Sequence, residues 1–348
     1  MKKDILSLTL EELTAEIVGL NQPKFRAGQI YRWLHKTGIR SFDEMTDISL
    51  KLRDMLNDNF VIFSCDIEKK LVSEYDNTVK YLFRLSDGEF IESVVMKYKY
   101  GYTLCVSSQV GCRMGCTFCA STLAGMVRNL YPSEILSQVY AAERDLEIRI
   151  SHIVMMGMGE PLDNFDNVLR FLTLITDENG KNISMRHISL STCGIVPKIY
   201  ELAERDLQLT LSVSLHAPNN ALRSSMMPIN RKWQVDELIK ACRDYTKKTS
   251  RRISFEYALV NGKNDTVQCA RELAGLLKGM LCHINLIPVN EVKETGCKES
   301  TPARIQEFSD ILTKRGFAVT VRRRLGSDIN AACGQLRRSA KPSDKEKK

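Results

Sequence analysis

The stretch Gly111-Cys112-Arg113-Met114-Gly115-Cys116-Thr117-Phe118-Cys119 constrains this chain more than any other, because it puts three thiols on one short loop at spacing C-x3-C-x2-C. A structural zinc site takes four ligands, usually two C-x2-C-type pairs or Cys combined with His. No matching second pair follows nearby. Three thiolates from a single loop suit a four-iron cluster whose fourth iron is left for another ligand. Gly111 and Gly115 leave the backbone free to wrap a bulky group, and Phe118 stands where it can shield that group from water. On the residues alone, a zinc knot or three unrelated buried thiols are the alternatives.

The rest of the composition narrows the class. At 348 residues the chain can form one large domain with a small one, or two to three domains of about 150 residues each. It is 43% hydrophobic and 26% charged, the mix of a globular protein. No apolar run approaches the roughly 18 residues of a membrane-spanning helix, and Met1-Lys2-Lys3-Asp4-Ile5-Leu6 does not open a signal peptide. The expectation is a cytoplasmic protein with no membrane association, whose eleven cysteines are held reduced. A net charge of +8 favours a polyanionic partner.

Residues 1–60 read as helical. Leu10, Leu13, Ile17 and Leu20 recur at helical spacing behind a Thr9 cap with Glu12 three residues on. Second and third helices are expected over 26–36 and 49–59, with joins at Pro23 and Gly38. Lys24, Arg26, Arg32, His35, Lys36 and Arg40 cluster around the second, as a phosphate-contacting face or an ordinary solvated one. Over 61–97 the period changes to two. Val79, Tyr81 and Phe83, then Phe90, Glu92, Val94 and Met96, alternate on either side of the turn Ser86-Asp87-Gly88, which predicts a β-hairpin. On sequence alone Glu92 is a surface carboxylate.

From 103 to 323, within an expected large domain of 98–336, strands alternate with helices. β-rich runs fall near 103–107, 153–156, 188–191, 209–215, 253–259, 284–287 and 318–322. Helical segments fall near 133–148, 164–176, 197–204, 234–248, 266–278 and 302–315. About six βα units and a closing strand predict an α/β fold with a parallel sheet, an incomplete barrel open enough for a macromolecule. Binding groups in such barrels gather at the C-terminal ends of strands. The thiol loop, Gly159-Glu160, Ser191, Ser214-Leu215-His216 and Asn290 all fall on that rim. Taken singly, His216 is a structural histidine and Asn290 a turn residue after Pro288. The tail 337–348 is basic, polar and expected to be disordered. Arg322-Arg323-Arg324 is a phosphate contact or a solvated strand end.

The C-x3-C-x2-C loop with an aromatic before its last Cys resembles the signature of the radical S-adenosylmethionine (SAM) superfamily. Leu104-Cys105-Val106-Ser107-Ser108-Gln109-Val110-Gly111-Cys112, Gly157-Met158-Gly159-Glu160-Pro161-Leu162 and Ala331-Ala332-Cys333-Gly334-Gln335-Leu336 resemble, more narrowly, the RlmN/Cfr family of RNA adenosine methyltransferases. The resemblance implies a partial (β/α)6 radical SAM barrel with a small N-terminal helical RNA-binding accessory domain, joined by the β-hairpin. It implies a [4Fe-4S] cluster on Cys112, Cys116 and Cys119, and SAM held by Gly159, Glu160, Ser191, Ser214, Leu215, His216 and Asn290. It implies a catalytic base at Glu92, a methyl-carrying thiol at Cys333 and a resolving thiol at Cys105. Two SAM molecules are consumed. The first methylates Cys333; the second yields a 5′-deoxyadenosyl radical that takes a hydrogen from the S-methyl group. The resulting carbon radical adds to adenine, Glu92 removes the ring proton, and Cys105 attacks the Cys333 sulfur to leave a disulfide.

The implied partners are 23S rRNA and tRNA, methylated at C2 of adenosine 2503 and adenosine 37 respectively, and an external electron donor of the flavodoxin type serving a monomer. Pro161 and Thr122-Leu123-Ala124-Gly125 look more like the C2 branch than the C8 branch of the family. A non-catalytic iron–sulfur RNA-binding protein is the alternative of a different class; paired thiols at 105 and 333 argue against it. Cys65, Cys193, Cys242, Cys269 and Cys282 read as small buried hydrophobes. Cys297, in the polar loop 294–300, has no assigned role.

Overall fold

The computed structural model describes residues 2–123, 125–289 and 296–329. Asn290, Cys333 and the tail therefore lie outside the described residues. Seven strands, Gly101–Cys105, Ile150–Met155, Ile188–Thr192, Thr210–Ser214, Ile253–Leu259, Cys282–Pro288 and Ala318–Val321, pair in sequence order and all run parallel. Six crossovers separate them, carrying the helices Pro132–Leu146, Phe165–Thr176, Val196–Ala203, Val235–Thr249, Val267–Leu276 and Pro302–Lys314. These are the expected six βα units and closing strand. Hydrophobic runs on the strands, such as Ile253, Phe255 and Tyr257, are fully buried under the helices, as a sheet covered by crossovers requires.

The segment before the barrel differs from a simple hairpin. Asp66–Val72, Val79–Arg84 and Phe90–Tyr98 form a three-stranded antiparallel meander, and its last strand pairs with the first parallel strand. The meander and barrel are thus one ten-stranded sheet. The sequence hid Asp66–Val72 because Glu68, Lys69 and Lys70 face water. An edge strand of this kind carries charge in place of an alternating apolar face.

The N-terminal helices Leu10–Gly19, Phe25–Arg32 and Leu50–Asn59 form as expected. Thr9 caps the first with a reciprocal pair: Glu12 N–H donates to Thr9 Oγ1 (3.2 Å) and Thr9 N–H to Glu12 Oε2 (2.8 Å). The same Glu12 carboxylate accepts both guanidinium nitrogens of Arg170 at 2.8 Å, docking the helices on the crossover helix Phe165–Thr176. Their apolar residues, among them Leu13, Ile30 and Leu56, belong to the same buried cluster as the barrel helices.

His35 is no part of a solvated basic face: it is fully buried at this junction. Its Nδ1 lies 3.1 Å from the Tyr140 hydroxyl and its ring 4.2 Å from that of Tyr31, whose hydroxyl donates to Asp177. Burial drives the imidazole down to about 3, against the opposing Asp177 carboxylate and with some help from Lys181. Unfolded histidine takes a proton near pH 6.5, so the stability lent by neutral His35 is complete above pH 6.5 and is lost as pH falls from there toward 3. Measured by chemical denaturation, stability should fall by about 2 kcal/mol more between pH 7 and 5 in the parent than in His35→Phe.

Candidate active site on the barrel rim

Parallel strands bring all their C-terminal ends to one rim, and there the chain encloses a cavity of about 360 Å3. Cys112, Cys116 and Cys119 line it, with Gly159, Glu160, Ser191, Ser214 and His216 from the next strand ends and Cys105 from the first strand. Leu215 is different: its side chain is fully buried in the apolar core, and its backbone N–H donates to Glu256 O.

Two close approaches fix the loop after the second strand. Gly157 N–H donates to Val106 O, and Met158 O accepts from Ser108 and Gln109 N–H. A Cβ on Gly157 would sit 2.5 Å from Val106 O. A Cβ on Gly159, whose φ is +103°, would sit 2.6 Å from Gln109 Cβ. Only glycine permits both contacts and that φ. Gln109 Oε1 accepts from Glu160 N–H at 2.9 Å. The Glu160 carboxylate is occupied within the chain, accepting from Leu162 N–H (3.0 Å) and Cys193 N–H (2.7 Å), and burial raises its pKa. What that loop offers a ligand is therefore its backbone.

His216 adopts φ +57° and is buried, its ring edge-on to Phe118 at 4.8 Å. Its Nδ1 accepts from Ala258 N–H at 2.9 Å, which assigns the ring proton to Nε2. Burial and the nearby Arg223 hold it down to about 3, so it is a neutral donor across the physiological range. Glu256, on the fifth strand, also lines the cavity; it accepts from Ser254 Oγ (2.9 Å) and Asn285 Nδ2 (2.7 Å), with its pKa raised by burial.

Sequence reasoning missed Glu256. It also missed Arg223, which is fully buried and donates to Leu215 O, Ser214 O, Cys193 O and Asn230 Oδ1. A lone arginine after a histidine carries no periodic signal; only the fold gathers those carbonyls around it.

Glu92 is not a surface carboxylate. Its side chain and that of Lys80 are both wholly buried, with Lys80 Nζ 3.0 Å from Glu92 Oε2. Glu92 shares a sheet face with Val94 and Met96, both of which line the cavity, and Val94 pairs directly with Cys105. Arg322, Arg323 and Arg324 line the cavity too. Cys65, Cys193, Cys242, Cys269 and Cys282 are buried, and so, despite its polar loop, is Cys297.

The thiol loop fits a cluster. Burial raises the Cys112 thiol to about 12 and pushes Cys116 up as well, and the neighbouring thiols add to both shifts. Three thiolates side by side are stable only around a cationic centre. Among the described residues no three His, Cys, Asp or Glu side chains stand close enough to share one metal ion, and the three thiols line one cavity.

Residues 106–274 match the family model of the radical SAM superfamily, and residues 3–62 that of the ribosomal RNA large subunit methyltransferase N-terminal domain. A radical SAM methyltransferase from Sphaerobacter thermophilus superposes with a TM-score of 0.92 at 42% identity, covering 96% of this chain and 98% of its own. Fold and site thus define a radical SAM enzyme, a class that implies a four-iron cluster and SAM. The probable dual-specificity RNA methyltransferase RlmN of Clostridium novyi is 55% identical over 97% of this chain and 98% of its own length. That of Clostridium tetani is 55% identical over 96% of each. The chain belongs to the RlmN family of radical SAM RNA methyltransferases.

Arg223→Met should lower thermodynamic stability by about 3 kcal/mol, because it strips donors from three buried carbonyls at once. Anaerobic thermal melting against the parent measures it; an unchanged midpoint would remove Arg223 from its place as the rim's hub.

Proposed function

We propose that this chain methylates C2 of adenosine 2503 in 23S rRNA and of adenosine 37 in tRNAs, through an S-methylcysteine at Cys333. The observation that carries the reading is the position of Cys105: a thiol outside the C-x3-C-x2-C loop on the wall of the same cavity as Cys112, Cys116 and Cys119. An adenine ring carbon at C2 is too electron-poor to attack a SAM methyl group directly, and a relay of two thiols answers that need.

Cys112, Cys116 and Cys119 would hold the cluster. The backbone at Gly159-Glu160, with Ser191, Ser214, Leu215, His216 and Asn290, would hold SAM, His216 donating from Nε2. Bound there, the cluster and SAM together supply one-electron cleavage of SAM to a 5′-deoxyadenosyl radical. Cys333 carries the methyl carbon to the adenine. Glu92, oriented by its ion pair with Lys80, accepts the ring proton. The Cys105 thiolate attacks the Cys333 sulfur; the S–S bond forms as the S–CH2 bond breaks, and the methylene carbon leaves with the electron pair and takes up a proton to become the base's methyl group. Arg322 to Arg324 at the cavity and the exposed Lys24, Arg32 and Lys36 on the N-terminal helices are suited to RNA phosphates. Among the described residues no helix is long and apolar enough to cross a membrane. rRNA and tRNA substrates imply work in the cytoplasm, with an external reductant of flavodoxin type and the enzyme acting as a monomer.

Digestion of RNA modified by the reconstituted enzyme should give 2-methyladenosine on chromatography. A sole 8-methyladenosine peak would move the activity to the other ring carbon, and no modified base under reducing anaerobic conditions would leave an RNA-binding iron–sulfur protein. Cys105→Ala should trap a covalent protein–RNA adduct on a denaturing gel, and Cys333→Ala should give none. Adduct-free inactivity in both variants would make Cys105 structural.

A further inference from the structure

Below the cavity the inner face of the barrel turns polar. Ala258 and Glu256 line the cavity, and Ser254 stands on the same face of Ile253–Leu259, one step farther from the rim. In the next two strands the register sets Asn285 beside Glu256, His283 beside Ser254 and Thr320 beside Asn285. The side chains of these residues close a ring of hydrogen bonds. Glu256 Oε1 lies 2.9 Å from Ser254 Oγ, which lies 3.3 Å from His283 Nδ1. His283 Nε2 lies 3.0 Å from Thr320 Oγ1, which lies 3.2 Å from Asn285 Oδ1, and Asn285 Nδ2 lies 2.7 Å from Glu256 Oε2. Glu256 is buried, Ser254 and His283 are half-buried, and Thr320, on the edge strand Ala318–Val321, is exposed. The ring therefore leads from the cavity to solvent on the open side of the barrel.

Counting protons with a neutral imidazole fixes the direction of the ring. Asn285 donates only from Nδ2 and accepts only at Oδ1, so it gives a proton to Glu256 Oε2 and takes the single Thr320 hydroxyl proton. Thr320 Oγ1 then accepts from His283 Nε2–H, and His283 Nδ1 accepts from Ser254 O–H. Ser254 has no second proton, so Glu256 closes the ring as a neutral carboxylic acid, donating from Oε1 to Ser254. Each donor then has one acceptor all the way round. Burial supports this state, raising the Glu256 carboxyl and lowering the His283 imidazole, which Arg252 lowers further. Asn285, Ser254, Arg322 and Ser212 act on Glu256 in the opposite sense.

We propose that Glu256 is a proton donor to the cavity and that Ser254 and His283 refill it from solvent. The inference rests on the methyl transfer proposed above, in which the methylene carbon takes up a proton. When Glu256 gives up its proton it becomes a carboxylate, Ser254 O–H turns to it, and His283 takes the tautomer that donates from Nδ1. Water then protonates Nε2 while the Nδ1 proton passes to Ser254 and the Ser254 proton passes to Glu256. One proton leaves for the carbon, one enters from water, and no electrons move.

Two measurements on the full-length protein test this. The first needs no turnover. Nitrogen NMR of histidine-labelled protein should show His283 neutral at pH 7 with its proton on Nε2. Glu256→Gln, which keeps an N–H donor to Ser254, should leave that tautomer in place. A proton on Nδ1, or a His283 cation at pH 7, overturns the ring. The second is a single turnover of cluster-loaded enzyme on an RNA stem-loop, read as methylated base. Glu256→Gln keeps the hydrogen bonds but cannot give up a proton as an acid does, so methylated base should form about a hundredfold more slowly. His283→Ala should also be slow, and added imidazole should restore His283→Ala but not Glu256→Gln. Parent-like rates in Glu256→Gln overturn the donor role. Failure of imidazole to restore His283→Ala, or a loss of iron or SAM binding in step with the rate, overturns the relay and makes the ring structural. Absence of methylated base in the parent would instead overturn the methyl transfer, with the His283 tautomer still deciding the ring.

Discussion

Three thiols from one short loop, all lining one largely apolar cavity, cannot all lose their protons readily without a cation among them. That electrostatic demand organises the molecule. Cys112 is held up to about 12 by burial and by its neighbours, so the loop is poised to bind positive charge and is a poor nucleophile until it does. Everything near it serves to keep the loop in place: Thr117 N–H donates to Met226 O, Cys119 N–H to Cys116 O, and Arg223 ties the neighbouring strand ends together. A barrel supplies the setting because its parallel strands deliver backbone and side chains from many elements to one rim.

Much of this was legible in the sequence. The βα alternation gave away the parallel sheet, since each crossover helix carries its own 3.6-residue period between short apolar strands. The Thr9–Glu12 box was readable because its partners are three residues apart. The three loop thiols, Gly159-Glu160, Ser191, Ser214 and His216 could be placed on the rim because strand ends could be located. What escaped were features made by long-range packing. Glu92 reads as a surface group until the meander buries it against Lys80, and the charge of the Asp66–Val72 strand reads as loop until its edge position explains it. His35 belongs to a basic run in sequence and to the core in space. Arg223 and Glu256 have no local pattern at all.

The N-terminal helices and the barrel share one apolar core, with Arg170, Tyr31 and His35 at the join. The spacing between the exposed basic residues of these helices and the cavity is therefore set by packing and not by a linker.

An incomplete barrel has a cost that a closed one avoids: two strand edges with unpaired backbone, each a template for a second chain. This fold guards both. On one side the edge strand turns Glu68, Lys69 and Lys70 outward and carries a bulge between Ile67 and Lys69. On the other the edge strand is four residues long and runs straight into three arginines. Charge, irregularity and brevity are the features that keep exposed edges from zipping into fibres. Both open edges are thus guarded, and on one side the guarding residues, Arg322 to Arg324, are the same ones that line the cavity.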